Sequence, residues 1–274
     1  MKNKKILAAG VAVVASVALL AGCGTGGSGG TAPQSSAAQN TLERVQAAGE
    51  LRIGLEGTFP PYSFHDAAGN LVGIEVEIAE LIAADLGVKP VFIETKWESL
   101  IAGMDVDKFD LIINNLQPTE ERERKYDFSI QYANSITQAV AARDSSLTKI
   151  EDVAGQRSAQ TITSNYATIA QELGATIVPT EGFTQSIELV TAGRAETTLN
   201  DKITFITYFE ANPNSPVRLL EGEIVNPDCC SVLVNKNEDA FFAAVNKSIE
   251  TNLANGKISE ISMRYVGFDF SPRG

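Results

Sequence analysis

Between Leu51 and Ile113 the apolar residues of this chain switch repeatedly between two spacings, and later the same switching starts again. Leu51, Ile53 and Leu55 alternate with Arg52 and Gly54 and stop before Gly57, which reads as a strand running into a loop. Ile74, Ile78, Leu81, Ile82 and Leu86 recur at helical spacing and predict a helix over 73–87. Glu75 and Glu77 fall in its first turn, where the helix macrodipole favours acids, and Gly87 is a natural stop. A strand at 91–94, a helix at 97–104 and a strand at 110–113 follow. From Arg157 the series restarts: strand 157–160, helix 165–173, strand 175–178, helix 184–192, strand 195–199, helix 203–210. Such alternation argues for an α/β fold with largely parallel sheets, in two units. The extended apolar run 136–142 is a candidate hinge strand between them. Residues 231–234 would return the chain to the first unit, where helices at 238–253 and 258–265 would pack. Ligands of open α/β sheets bind beyond the carboxyl ends of the strands, so two units facing each other across a hinge would make a closing cleft.

The N-terminus reads differently. Lys2, Lys4 and Lys5 precede an uncharged apolar run from Ile6 to Leu20, shorter than the ~20 residues a spanning helix needs. This is the pattern of a secretory signal. It ends Leu20-Ala21-Gly22-Cys23, which resembles the bacterial lipobox. Residues 1–22 are therefore expected to be a lipoprotein signal peptide, and Cys23 the lipidated residue that anchors the chain to the cell membrane on its outer side. Gly24 to Asn40 contains no charge and no large apolar residue, so 23–40 is expected to be a flexible tether.

The remaining body is long enough for two lobes of ~100 residues each. The net charge is −12, and losing three lysines with the signal makes it −15, which argues against nucleic acid as a partner. Apart from Cys23 the cysteines are Cys229 and Cys230, expected to be buried, reduced neighbours. With a single histidine, His65, expected at the surface, no metal site or nucleophile motif emerges, and no cofactor is expected.

The run Gly57-Thr58-Phe59-Pro60-Pro61-Tyr62-Ser63-Phe64, with Asp66 and Gly69, resembles the family 3 solute-binding proteins of amino-acid ABC importers. So do Gly73-Ile74-Glu75-Val76-Glu77, Trp97-Glu98-Ser99-Leu100-Ile101, and Thr119-Glu120-Glu121-Arg122 followed by Tyr126-Asp127-Phe128-Ser129. Within the family, Asn114-Asn115, residues 160–167 and residues 181–186 look most like cystine- or cysteine-binding members. The resemblance implies a two-lobed, periplasmic-binding-protein-like fold of type II, each lobe a mixed sheet flanked by helices, joined by two hinge strands. Lobe 1 would be 41–137 plus 234–274, and lobe 2 would be 138–233.

It also implies a set of ligand contacts. Arg122, behind the helix cap Thr119, would grip the ligand carboxylate with two parallel hydrogen bonds; read alone, it would be an exposed helix arginine paired with an acid. Thr163 and Ser164, ahead of a helix near Asn165, would offer a second anion site from the other lobe; capping alone is the other reading, and both can hold. Asp201 would take the ammonium group, with Glu56 assisting; its other role is to cap helix 203–210. Phe59 and Trp97 would flank the ligand side chain, although lone aromatics more often fill cores. Asn115 and Gln117 are expected contacts at positions where the family pattern often has smaller residues.

The function that follows is capture of a polar amino acid, with cystine or cysteine leading, and delivery to the membrane subunits of an ABC importer by a monomeric binding protein. An enzyme on the same fold, such as a dehydratase or lyase, and a ligand-sensing module for a receptor are the alternatives.

Overall fold

The computed structural model describes residues 40–226 and 229–272. The expected signal peptide, Cys23 and nearly all of the tether lie outside the described residues. Asn40 belongs to the folded body rather than to the tether: its side chain accepts from Glu43 N at 3.0 Å and caps the first helix.

In chain order the elements are α1 (Thr41–Ala48), β1 (Glu50–Leu55), β2 (Phe64–His65), β3 (Leu71–Val72), α2 (Ile74–Asp85), β4 (Lys89–Glu94), α3 (Trp97–Met104), β5 (Leu111–Ile112), α4 (Glu120–Glu123), β6 (Tyr126–Phe128) and β7 (Ser135–Ala142). There follow β8 (Arg157–Gln160), α5 (Asn165–Glu172), β9 (Thr176–Pro179), α6 (Phe183–Thr191), β10 (Thr197–Asp201), α7 (Lys202–Ala211), β11 (Val217–Leu219), β12 (Ile224–Asn226), β13 (Leu233–Asn235), α8 (Asp239–Ala254) and α9 (Lys257–Val266).

Two sheets carry the body. The first runs β4-β1-β5-β13-β6, and the second runs β11-β7-β10-β8-β9 with β12 also paired to β7. β1 is parallel to β4 and β5, and β8 is parallel to β9 and β10. The expectation of largely parallel sheets holds only for these βα repeats. β7 is antiparallel to β10, β11 and β12, and β13 is antiparallel to β5 and β6. The antiparallel pairs come from the segments that carry the chain between sheets, and these have no crossover helix to reverse their direction.

Each sheet is covered on both faces, which explains why its strands read as nearly continuous apolar runs. Successive side chains of a strand point to opposite faces. Leu111 and Ile113 pack into a core beneath α1, α2, α8 and α9, while Ile112 between them packs with Trp97, Leu100, Met104 and Phe109. In the second sheet Ala139 and Ala141 face a core with Tyr166 and Leu199, and Val140 faces Ile187, Val190 and Phe205.

One glycine is needed where the first loop meets α2. Gly73 has φ 138°, and a Cβ there would sit 2.2 Å from Tyr62 O. The close approach lets Ile74 N and Glu75 N donate to Pro61 O and Tyr62 O at 3.0 and 2.9 Å, tying the 59–63 loop to the start of the helix. The effect is to fix Phe59 at the carboxyl edge of the first sheet.

Candidate functional site

The loops that follow β1, β4 and β5 in the first sheet face those that follow β8, β9 and β10 in the second. Between them lies a small cavity of about 40 Å³. Glu56, Phe59, Trp97, Asn114 and Asn115 line it from the first side, and Gln160, Ser164, Asn165, Tyr166, Phe183 and Asn200 from the second. A groove lined by Arg122 and Thr163 adjoins it and shares Trp97, Ser164 and Asn165 with it.

The two sides touch directly. Trp97 Nε1 donates to Thr163 Oγ1 at 2.9 Å, and Arg122 Nη2 donates to Thr163 O at 2.9 Å. Asn165 Nδ2 donates to Gln117 Oε1 at 3.1 Å, and Tyr166 OH donates to Asn115 Oδ1 at 3.3 Å. At the rim Lys96 Nζ pairs with Glu181 at 2.7 Å.

Arg122 is the least expected feature for a water-filled surface helix. It lies in a single helical turn capped by Thr119, whose Oγ1 accepts from Arg122 N. The residue is only 7% exposed. The guanidinium donates to the carbonyls of Gln117 and Thr163 and lies 5.4 Å over the Trp97 ring. Among the described residues its partners are these carbonyls, while the ion pairs of the chain join other residues. Burial pulls its pKa down to about 10. A buried cation without an anion is costly, so the position is one that an incoming carboxylate stabilises.

Glu56, on the first side of the cavity, carries the opposite charge. Burial raises the Glu56 carboxyl above its ordinary value, against a hydrogen bond from Asn114 Nδ2 at 2.9 Å. Glu56 N in turn donates to Asn114 Oδ1 at 2.8 Å, which fixes both side chains. Glu56 is thus a held carboxylate on a cavity wall, suited to a cation.

Asp201 ends β10 on the second side and does not line the cavity. It is fully buried, caps α7 by accepting from Ile203 N at 2.8 Å, and accepts from Ser135 Oγ. Burial raises its carboxyl, and Ser135, Ile203, Tyr62 and Asn115 oppose the rise. Its neighbour Asn200 reaches the cavity instead. Ser164 caps α5, accepting from Ala167 N at 3.1 Å, and also lines the cavity. Phe59 lines the cavity and also stacks on Tyr62, with ring centroids 5.3 Å apart. Asn115 adopts φ 49°, a left-handed conformation that asparagine tolerates better than most residues.

Several residues at the site were not singled out from the sequence. Asn114, Gln160, Asn165 and Tyr166 lie inside the segments that carry the family resemblance, but only their grouping was visible there. Glu75 reads as a first-turn acid and does begin α2, yet it is fully buried: Oε1 accepts from Asn115 N and from Tyr132 OH. Burial pushes its carboxyl up to about 7. It braces Asn115 from behind, and its single position in a helix pattern gives no sign of this. His65 is partly exposed, as expected, with Nε2 3.3 Å from Glu94. Among the described residues no cluster of three or more metal-ligating side chains occurs, and no helix is long and apolar enough to cross a membrane.

With this geometry in place, comparison with known proteins is informative. The sequence profile described as "Bacterial extracellular solute-binding proteins, family 3" matches residues 51–268. The chain belongs to this family. It is 37% identical over 232 residues to a Haemophilus influenzae protein named "Probable amino-acid ABC transporter-binding protein", covering 84% of this chain and 89% of that one. It is 34% identical over 262 residues to the L-cystine-binding protein TcyA of Bacillus subtilis, covering 94% and 96%. Among solved structures, the L-cystine solute receptor of Neisseria gonorrhoeae in its unliganded open conformation shares 34% identity and covers 85% of this chain and 99% of that one, with a TM-score of 0.57. These relatives are transport binding proteins with mixed α/β, two-lobed architecture.

Proposed function

We propose that this chain captures a free amino acid between its lobes, closes on it, and delivers it to an ABC importer. The observation that carries this is Arg122: a buried guanidinium at the junction of the lobes, bonded to Thr163 of the other lobe, with carbonyls where an anion belongs. A free amino acid brings a carboxylate for Arg122 and the α5 N-terminus, and an ammonium for the Glu56 side of the cavity. The direct contacts between lobes correspond to a closed state, and the modest superposition on a relative solved open is in keeping with that.

Cystine or cysteine is the leading ligand. Two relatives named for cystine match at 34% identity. The Arg122 groove adjoins the cavity and shares Trp97, Ser164 and Asn165 with it, so a ligand with an amino-acid group at each end would meet both. We assign the lobes as 41–137 plus 234–274 and 138–233, the membrane attachment to lipidated Cys23, and the working state to a monomer that binds without catalysing. Glu56, Phe59, Trp97, Asn115, Gln117, Arg122, Thr163, Ser164 and Asp201 remain the proposed contacts, with Asp201 acting through Asn115 and Tyr62.

Thermal unfolding against a panel of amino acids tests the reading. A ligand at about 100 times its Kd adds about 2.7 kcal/mol, a rise of roughly 5–10 °C for a body of this size. A rise with cystine is expected. A rise only with another amino acid keeps the mechanism and replaces the ligand, and no rise with any of them ends the proposal.

A further inference from the structure

Cys229 and Cys230 have no part in the binding scheme above. Both are fully buried and free, and their sulfurs lie 3.0 Å apart. Cys229 Sγ is 3.6 Å from Asn115 Oδ1 and 3.9 Å from Asn115 O. Asn115 is itself a wall of the cavity, so one side chain separates the pair from the space a ligand fills. The same amide oxygen accepts from Tyr166 OH of the opposite lobe. In an open cleft that bond would be broken and solvent would come nearer the sulfur behind Asn115.

The two sulfurs have different surroundings. Cys229 Sγ lies against the Asn115 side chain that walls the cavity. Cys230 is pushed up, chiefly by burial, then by Cys229 and by the acids Asp201 and Glu75. Only a thiolate attacks a disulfide. Cys229, the sulfur next to the cavity wall, is placed to attack and Cys230 to follow.

We propose that Cys229 and Cys230 are an exchange-active dithiol, oxidised by a small-molecule disulfide that enters the open cleft. The Cys229 thiolate attacks one sulfur of R–S–S–R, forming a protein–S–S–R bond and expelling RS⁻, which takes up the proton that Cys229 gave away. The Cys230 thiolate then attacks the Cys229 sulfur, closes a bond between the neighbours and expels the second RS⁻, protonated in the same way. The chain loses two electrons and two protons, and the disulfide becomes two molecules of RSH. The sulfurs need approach by only about 1 Å to reach bonding distance. The extracytoplasmic setting of the family is one where such bonds persist. Access to the sulfurs rests on the closing-cleft reading, but the exchange does not depend on which amino acid is bound.

The test is to reduce the full chain, expose it to hydroxyethyl disulfide or cystine, quench, and map thiols in the tryptic segment 219–236, which holds both cysteines and excludes Cys23. The expected result is loss of both alkylatable thiols, an internal disulfide, and two RSH released per chain; Cys230→Ser should arrest as a mixed disulfide on Cys229, and saturating amino acid should slow the exchange. If both thiols of the native chain remain alkylatable while the denatured chain reacts, the proposal is overturned. It is equally overturned if Cys230→Ser, shown folded by circular dichroism, carries no adduct; should that variant not fold, the wild-type map decides. Binding calorimetry run alongside separates the two readings: binding without exchange removes only this inference, and exchange without binding removes only the proposed function.

Discussion

Arg122, Glu56 and Glu75 illustrate what single residues contribute and how far each was readable. Arg122 looks in sequence like any helix arginine; only its motif pointed to a carboxylate, and its burial among carbonyls is a product of the lobes meeting. Replacing it with lysine keeps a charge but loses the planar fork, and affinity for the amino acid should fall about tenfold or more, as read by titration. An unchanged affinity would remove Arg122 from the site. Glu75 appears in sequence as an acid at a helix start, and the macrodipole explains its placement without its burial. Its carboxyl stands at about 7 against an ordinary 4.5. Between those values the native chain holds a proton that the unfolded chain has lost, so stability is full below about pH 4.5 and declines as pH rises through 7. The difference corresponds to about 3 kcal/mol. Glu75→Gln should flatten the dependence of the melting temperature on pH between 5 and 8, and a profile as steep as the parent's would contradict the assignment.

At the level of elements, the strands and helices with strong periodicity were legible to within a residue or two, because their apolar positions face a core on fixed sides. Short elements were not. α1 buries only Val45 and is held from far away in sequence: Arg44 and Arg52 share Asp110, and Thr41 N donates to Glu238. β6, β11 and β12 have three residues each and owe their state to the strand beside them. α5 has a double duty, since its cap Ser164 and the preceding Thr163 meet the first lobe. Thr163→Val removes the acceptor of Trp97 Nε1 in the closed state alone. That loss is worth about 1 kcal/mol, so binding should weaken about fivefold while the melting temperature of the ligand-free chain stays nearly constant. Equal loss of both would mean that Thr163 supports the fold rather than closure.

For the whole molecule, two restarting βα series on either side of one extended strand were sufficient to anticipate two lobes and a cleft. The antiparallel crossings by β7 and β13 were not readable as such, because strand direction depends on pairing and not on composition. Nor was the closed arrangement, which depends on contacts between residues such as Trp97 and Thr163, 66 positions apart. Closure makes a measurable difference in size: the radius of gyration from solution scattering should decrease when ligand is added and should not decrease for Arg122→Ala under the same conditions. A ligand-independent radius would mean that binding does not drive the lobes together.

The most direct measurement is isothermal calorimetry of the chain and of Arg122→Ala, each titrated with cystine, cysteine, glutamine, arginine and glutamate. Tight binding of cystine to the parent, weakened at least about 100-fold by the substitution, is the expected result. If the parent binds none of these, or if the variant binds as tightly as the parent, the buried arginine is not the carboxylate clamp of an amino-acid-binding protein.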